Sequence, residues 1–297
     1  MCIVCDQPLQ QLFHLTQLTI AHCVNVTEIP STLVNLEFID CSDCPLLTTV
    51  PSTLVKLITL ICNKCPLLTT VPSTLVKLIT LICNKCPLLT NVPSTLVALQ
   101  KLACSFCSLL TTIPSTCVNL QDLCCCDCPL LTMIPSTLIN LTDLHCYNCP
   151  LLTSIPFTLV SLQILGCSGL PLLTIIPSTL VVLQTLYCSN CPRLTTIPSS
   201  LVKLETIGCA HCPLLTMIPA TFHKLDLIGY YNCPYLYLPF KIRQKCQCVH
   251  NNMVAVFASK LRRRWRKIQQ RRMTGILNNE NTNLPFVLNA LISMYMF

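Results

Sequence analysis

The sequence predicts a solenoid: a curved parallel β-sheet on the concave side, irregular or 3-10 segments on the convex side, and a C-terminal α-helix after the last coil. Three observations carry that expectation. Proline recurs at Pro30, Pro51, Pro72, Pro93, Pro114, Pro135, Pro156, Pro177, Pro198 and Pro219, a spacing of 21 residues at every step. Counted from each proline as zero, positions 3, 6, 9, 17 and 20 are apolar in nearly every copy, as in Leu75, Leu78, Leu81, Leu89 and Val92. Positions 11 and 14 are usually cysteine, as in Cys83 and Cys86. A fixed period of about 20 to 50 residues marks stacked units, none of which can bury its apolar side chains alone.

The elements follow in order. Residues 1–8 are a lead-in. Running the frame back from Pro30 gives Leu12, Leu15, Leu18, Ile20, Cys23, Val26 and Ile29, so the array starts near Leu9. It runs to Pro239, where the eleventh copy is one residue short, making 9–239 an array of about 11 repeats. Eleven strands at about 4.8 Å give a concave sheet about 50 Å long. The repeated proline fixes φ and removes a donor, which suits an irregular convex segment and excludes a long helix there. The chain has only five glycines, so its turns rely on Pro, Asn, Ser and Thr. Residues 240–297 form a separate basic tail.

The repeated LxxLxCxxC, followed by a leucine three residues on, resembles the leucine-rich repeat, LxxLxLxxN/CxL. Cysteine replaces the sixth-position leucine and also fills the N/C position. The phrase CxxLxxIPxxL is similar to cysteine-type and plant-type leucine-rich repeats. The 21-residue unit is also similar to the cysteine-containing repeat proteins of giant amoeba-infecting DNA viruses, mimivirus-like. The resemblance covers about residues 9 to 239. It implies a recognition surface and a non-enzymatic, protein-binding role, although the fold hosts many functions.

Hydrophobic residues make up 52% of the chain. Proline interrupts every apolar run before the ~18 to 20 residues needed to cross a bilayer. The opening MCIVCDQPLQ lacks the basic and apolar regions of a signal peptide. The expectation is an intracellular, cytoplasmic protein (of a host cell, if viral) whose 26 cysteines are free thiols. The sequons at Asn25 and Asn140 are then chance matches. Charge divides sharply: residues 1–239 carry eight Lys+Arg against ten Asp+Glu, while 240–297 carry eleven against Glu280 alone.

Eight CxxC pairs stand in register, among them Cys41/Cys44, Cys62/Cys65, Cys83/Cys86 and Cys188/Cys191, with 17 residues between neighbouring pairs. That spacing fits a zinc template. The frame favours packing instead. Nineteen cysteines fall in two columns whose exceptions, Ile20, Tyr230 and Leu170, fill core and bind no metal. Cysteine is a small hydrophobe with a weak donor, and at position 14 it is expected to bond the adjacent turn, as asparagine does in other leucine-rich repeats. No metal or cofactor is predicted. Seven cysteines leave the two columns: Cys2, Cys5, Cys117, Cys124, Cys126, Cys246 and Cys248. Cys124 and Cys126 are expected on the concave surface. Cys246, Cys248 and His250 offer part of a metal-ligand set, the less favoured reading.

Positions 8, 10, 12 and 13 should face the concave side, and these vary along the array. They give a candidate partner-binding set: Ile61, Lys64, Ile82, Lys85, Asp122, Asp127, Asp143, His145, Tyr147, Tyr187, His211 and Tyr231. Tyrosine is enriched at interface hot spots, which favours the C-terminal half. The competing reading is an ordinary solvated sheet face. No glycine-rich phosphate loop, GxSxG, HExxH or paired-carboxylate motif appears, and the six histidines are scattered.

In the tail, Val254, Phe257, Leu261, Trp265 and Ile268 form a helical stripe. Arg262, Arg263, Arg264, Arg266 and Lys267 surround it. A basic amphipathic helix fits a calmodulin-like protein, an acidic membrane surface or nucleic acid, the last being disfavoured. The stripe is expected first to cap the last coil, behind Leu236 and Leu238. The final LPFVLNALISMYMF is too short to span a bilayer.

Overall fold

The computed structural model describes residues 14–245 and 247–249. Each coil contributes one three-residue strand: β1 (Gln17–Thr19), β2 (Phe38–Asp40), β3 (Thr59–Ile61), β4 (Thr80–Ile82), β5 (Lys101–Ala103), β6 (Asp122–Cys124), β7 (Asp143–His145), β8 (Ile164–Gly166), β9 (Thr185–Tyr187), β10 (Thr206–Gly208) and β11 (Leu227–Gly229). All pair in parallel and in sequence order, and every partner lies in the same frame position of the next coil, as in Leu60↔Leu81. These are positions 8 to 10. Position 9 points into the core, because side chains alternate along a strand.

The convex side consists of separate turns. The amide of Leu54 donates to the Pro51 carbonyl (3.4 Å), that of Leu57 to Leu54 (3.0 Å), and that of Leu68 to Cys65 (3.1 Å). The turns from Leu54 to Leu57 and from Cys65 to Leu68 each begin and end on an inward residue, which matches the spacing of three. Proline at position 15, as in Pro66, pre-sets the backbone one residue into the last of these turns. The expected 3-10 geometry thus appears as single turns and not as continuous helix, since prolines at positions 0 and 15 deny it the donors a longer run needs. Thr74, Thr95, Thr116 and Thr137 each donate through Oγ1 to the serine carbonyl of the coil before, at 2.5 Å.

One core runs the length of the stack from Leu18 to Ile242, built from positions 3, 6, 9, 11, 14, 17 and 20. Burying each leucine contributes about 1.5 to 3 kcal/mol before entropic losses. The array continues past Pro239. A short helix, α1 (Phe240–Lys245), places Ile242 in the core, and β12 (Gln247–Val249) pairs parallel with β11. Pro239 acts as one more zero position. Leu238 and Ile242 are buried there, so cover of the eleventh coil begins before the basic stripe is reached.

Candidate functional site

The concave side is framed by position 13, where every coil turns through the left-handed region. His22, Asp43, Lys64, Lys85, Phe106, Asp127, Asn148, Asn190, His211 and Asn232 have φ between 53° and 64°, and Gly169 has 71°. Such a conformation costs about 1 to 2 kcal/mol for most L-residues. Inter-coil bonds impose it: the position-13 amide donates to the position-12 carbonyl of the next coil, as in Lys64 to Asn84 at 2.8 Å. Side chains of quite different chemistry are thereby held in one backbone geometry, one per coil.

Neighbouring members of this row interact. His22 Nδ1 and Lys64 Nζ both reach Asp43 Oδ2, at 3.0 and 3.2 Å. The Lys64 hydrogen bond, helped by His22, holds the Asp43 carboxyl below its ordinary range. Lys85 Nζ lies 5.7 Å above the Phe106 ring. Asn148 Nδ2 donates to Asp127 Oδ1 at 3.0 Å, while burial raises the Asp127 carboxyl. His211 meets Asn232 at 3.2 Å and the Tyr231 ring edge-on at 5.3 Å.

The structure divides the sequence-predicted concave residues into two groups. Lys64, Lys85 and Tyr231 are exposed, and Asp122, Asp127 and His211 are half-buried. Ile61, Ile82, Asp143, His145, Tyr147 and Tyr187 are buried, which corrects the expectation that they present open side chains. Tyr147 is 0% exposed and Tyr187 2%. The reason is lateral packing. Position-10 residues of successive coils stand at strand spacing, so Ile61, Ile82, Ala103 and Cys124 close into a second apolar cluster along the sheet, which Phe38 and Tyr147 join from positions 8 and 12. Gly166 makes room for this: a Cβ there would collide with the Tyr147 hydroxyl.

A polar centre interrupts the apolar strip. Lys101 Nζ pairs with Asp122 Oδ2 at 3.3 Å. Thr142 Oγ1 donates to Asp143 Oδ2 at 2.7 Å, and His145 Nδ1 meets the Tyr147 hydroxyl at 3.3 Å. Burial lowers the His145 pKa and keeps the ring neutral. Cys124 and Cys126 also line this centre, but both are buried, correcting their expected surface exposure.

The two cysteine columns have distinct tasks. At position 14 the thiol donates to the position-11 carbonyl of the preceding coil: Cys65 to Cys41 (3.2 Å), Cys86 to Cys62 (3.0 Å), Cys107 to Cys83 (3.2 Å) and Cys212 to Cys188 (3.0 Å). This is the adjacent-turn bond expected from the sequence. At position 11 the thiol mainly fills space. Hydrogen bonding to the Cys107 thiol, together with full burial, pushes Cys83 well up, and burial alone leads the rise at Cys125, Cys146 and Cys167. The cysteines from Cys23 to Cys233 are free. Cys117, outside both columns, takes the position-3 leucine's place in the core.

Sequence reasoning missed a third ladder at position 12. Asn63 Oδ1 accepts from the Asn84 backbone amide (3.0 Å), Asn84 Oδ1 from that of Ser105 (2.8 Å), and Ser105 Oγ from that of Cys126 (3.1 Å). Ser168 and Ser189 resume it at 3.0 and 3.1 Å. The signal was the recurrence of Asn and Ser at a position assigned to partner contact.

Among the described residues, no three His, Cys, Asp or Glu side chains group around a metal position, and no helix is long and apolar enough to cross a membrane. The tail residues Arg262, Arg263, Arg264, Trp265, Arg266 and Lys267 lie outside the described residues, as do Cys246 and His250.

The Leucine Rich Repeat family model matches residues 35–57 and 182–204. Those segments are two units of the same stack, each joining a strand to its convex turns. The fold is a leucine-rich-repeat solenoid. No curated protein matches the chain. Among solved structures it is similar to the functional domain of InlJ from Listeria monocytogenes, described as including a cysteine ladder: 23% identity, TM-score 0.59, 76% of this chain and 56% of that one. The chain thus spans little more than half of the InlJ domain. A leucine-rich-repeat protein of Leptospira interrogans matches at 19% identity and TM-score 0.45, over 75% of both chains. An internalin, InlF, of Listeria monocytogenes matches at 15% and 0.48, over 82% of this chain and 84% of that one. These likenesses concern the leucine-rich-repeat fold.

Proposed function

We propose that this leucine-rich-repeat chain is a non-enzymatic interaction module that takes a protein partner along its concave side. The observation that supports this best is the position-13 row. Lys64, Lys85, Asp127 and His211 share one backbone geometry while differing in chemistry, which is how a rigid scaffold presents a pattern of recognition groups. Tyr231, exposed beside His211, adds an aromatic anchor, and half-buried Asp122 adds charge from inside the curve. The buried members, Ile61, Ile82, Asp143, His145, Tyr147 and Tyr187, stiffen the face that carries these groups. Free, buried thiols suit a reducing, intracellular setting, a host cytoplasm on the resemblance to viral repeat proteins.

A second reading rests on charge. The ten excess positive charges after residue 239 would tether the solenoid to an acidic membrane, a calmodulin-like protein or, less favoured, nucleic acid. Affinity capture with full-length protein, with residues 1–249 and with Lys64→Glu/Lys85→Glu separates the two. Concave binding predicts one partner captured by the first two and lost in the double variant. Capture that needs the tail, collapses with salt and ignores the charge reversal overturns it in favour of the tether.

A further inference from the structure

The position-12 ladder is suspended in the middle of the array. From Asn63 to Ser105 each coil supplies an oxygen acceptor to the next, and at Cys126 the oxygen is replaced by sulfur. Two residues back, at the end of β6, Cys124 carries a second thiol. Their sulfurs lie 3.8 Å apart. The other cysteines from Cys23 to Cys233 lie in the two packing columns or, as Cys117, in the leucine core. Among the described residues from Cys23 to Cys233, only this pair faces the concave side.

The surroundings suit a cation that prefers sulfur. Ser105 Oγ lies 3.2 Å from Cys124 Sγ and also receives the Cys126 amide, so it fixes both residues of the pair. In the next coil His145 is the register partner of Cys124. Its Nδ1 is taken by the Tyr147 hydroxyl at 3.3 Å. The Asp122 and Asp143 carboxylates stand at the start of the same two strands, with Lys101 paired to Asp122. Cys124 remains 8% exposed on the concave side, an entry point that the packing columns lack from Cys41 to Cys212.

We propose that Cys124 and Cys126 form a binding site for a soft monovalent metal ion, with Cu(I) as the favoured occupant. The two thiols are already in contact at 3.8 Å, and because a two-coordinate Cu(I) bis-thiolate is near linear, a small rotation of either side chain opens the pair enough to seat one soft ion. Zinc would need a third or fourth protein ligand, and no such group of three is assembled among the described residues. Cu(I) is selected by soft thiolates and accepts two of them. Binding converts two thiols and one Cu(I) into a bis-thiolate complex carrying one negative charge and releases two protons to solvent. The metal stays Cu(I) throughout, so no oxidant or reductant is consumed. Affinity therefore rises with pH until both thiols are ionised.

The test uses the full chain with Cys2, Cys5, Cys246 and Cys248 replaced by serine, titrated anaerobically with Cu(I) against a chromogenic Cu(I) chelator. The expected result is about one ion per chain withheld from the chelator. C124A/C126A in that background is expected to weaken retention at least tenfold. Alanine already occupies positions 10 and 12 in other coils, at Ala103 and Ala210, so the fold should persist, checked by circular dichroism. Should that variant unfold, X-ray absorption at the copper edge of the parent decides, with sulfur-only near neighbours expected. No retained copper, undiminished retention in the folded double variant, or a copper shell without sulfur overturns the proposal.

Discussion

Exchanging the residues of one CxxC pair separates the two cysteine tasks. Cys86 donates to the buried Cys62 carbonyl at 3.0 Å, while Cys83 sits fully buried with the Cys107 thiol as its neighbour. Serine at position 86 keeps a donor for the carbonyl; valine removes it, stranding a buried acceptor at a cost of about 1 to 3 kcal/mol. At position 83 the order reverses. Valine is close in volume and apolar, costing less than about 1.5 kcal/mol, whereas serine buries a hydroxyl without a full set of partners at about 1 to 3 kcal/mol. The four single variants are compared by thermal melting with reductant present. Cys83→Val should melt above Cys83→Ser, and Cys86→Ser above Cys86→Val. At about 2 to 4 °C per kcal/mol for a domain of this class, each gap is several degrees. The same ranking at both sites would refute the division of labour, whatever the absolute losses.

Three further outcomes follow from the same geometry. Asn190→Val should destabilise by about 1 to 2 kcal/mol, because a β-branched side chain resists φ of 55°, while Asn190→Gly should change the melting point little. Stability should fall on both sides of neutrality, read by melting across pH. Burial raises Cys117 and Cys149 to about 11, so their contribution is full below the unfolded thiol value of about 8.5 and is lost as pH rises towards 11, at up to about 1.4 kcal/mol per unit for each. Burial lowers His145, so its contribution is present above about 6.5 and is lost on acidification; His145→Gln should flatten the acid limb only. Deleting Cys65–Lys85, which repeats Cys44–Lys64 letter for letter, joins equivalent coils and should leave a cooperative melt, whereas deleting about half that stretch should abolish it.

The frame was legible because each inward position repeats: a leucine at Leu54, Leu75 and Leu96 is stacked on its own kind, so the period alone fixes parallel, in-register pairing. The position-14 thiol bond was legible for the same reason, since a weak donor recurred where a neighbouring turn must pass. The continuation through Ile242 and β12 was hidden by a single missing residue before Pro239 and by the basic composition that follows. The left-handed row was hidden because Lys64, Lys85 and Phe106 are poor formers of that conformation. Inter-coil hydrogen bonds impose it, and a sequence window one coil long contains only one end of each bond.

Exposure on the concave side was misjudged for a reason that bears on recognition. Alternation along a strand says which side a residue faces, but not how closely its counterparts in the coils before and after approach it. With strands about 4.8 Å apart, Ile61 and Ile82 are each other's cover, and Tyr147 fills the space left by Gly166. The inner face therefore behaves as a second core, and recognition moves to its edge. There the backbone turns outward and Lys64, Lys85 and Asn190 are exposed, with Lys64 reaching Asp43 and Lys85 lying over the Phe106 ring. A partner reading that edge meets one side chain per coil, in an order set by position 13 alone. Exchanging Lys64 with Asp43 should then disturb binding while leaving the core untouched. Exchanging Ile61 with Ala103 should disturb stability first.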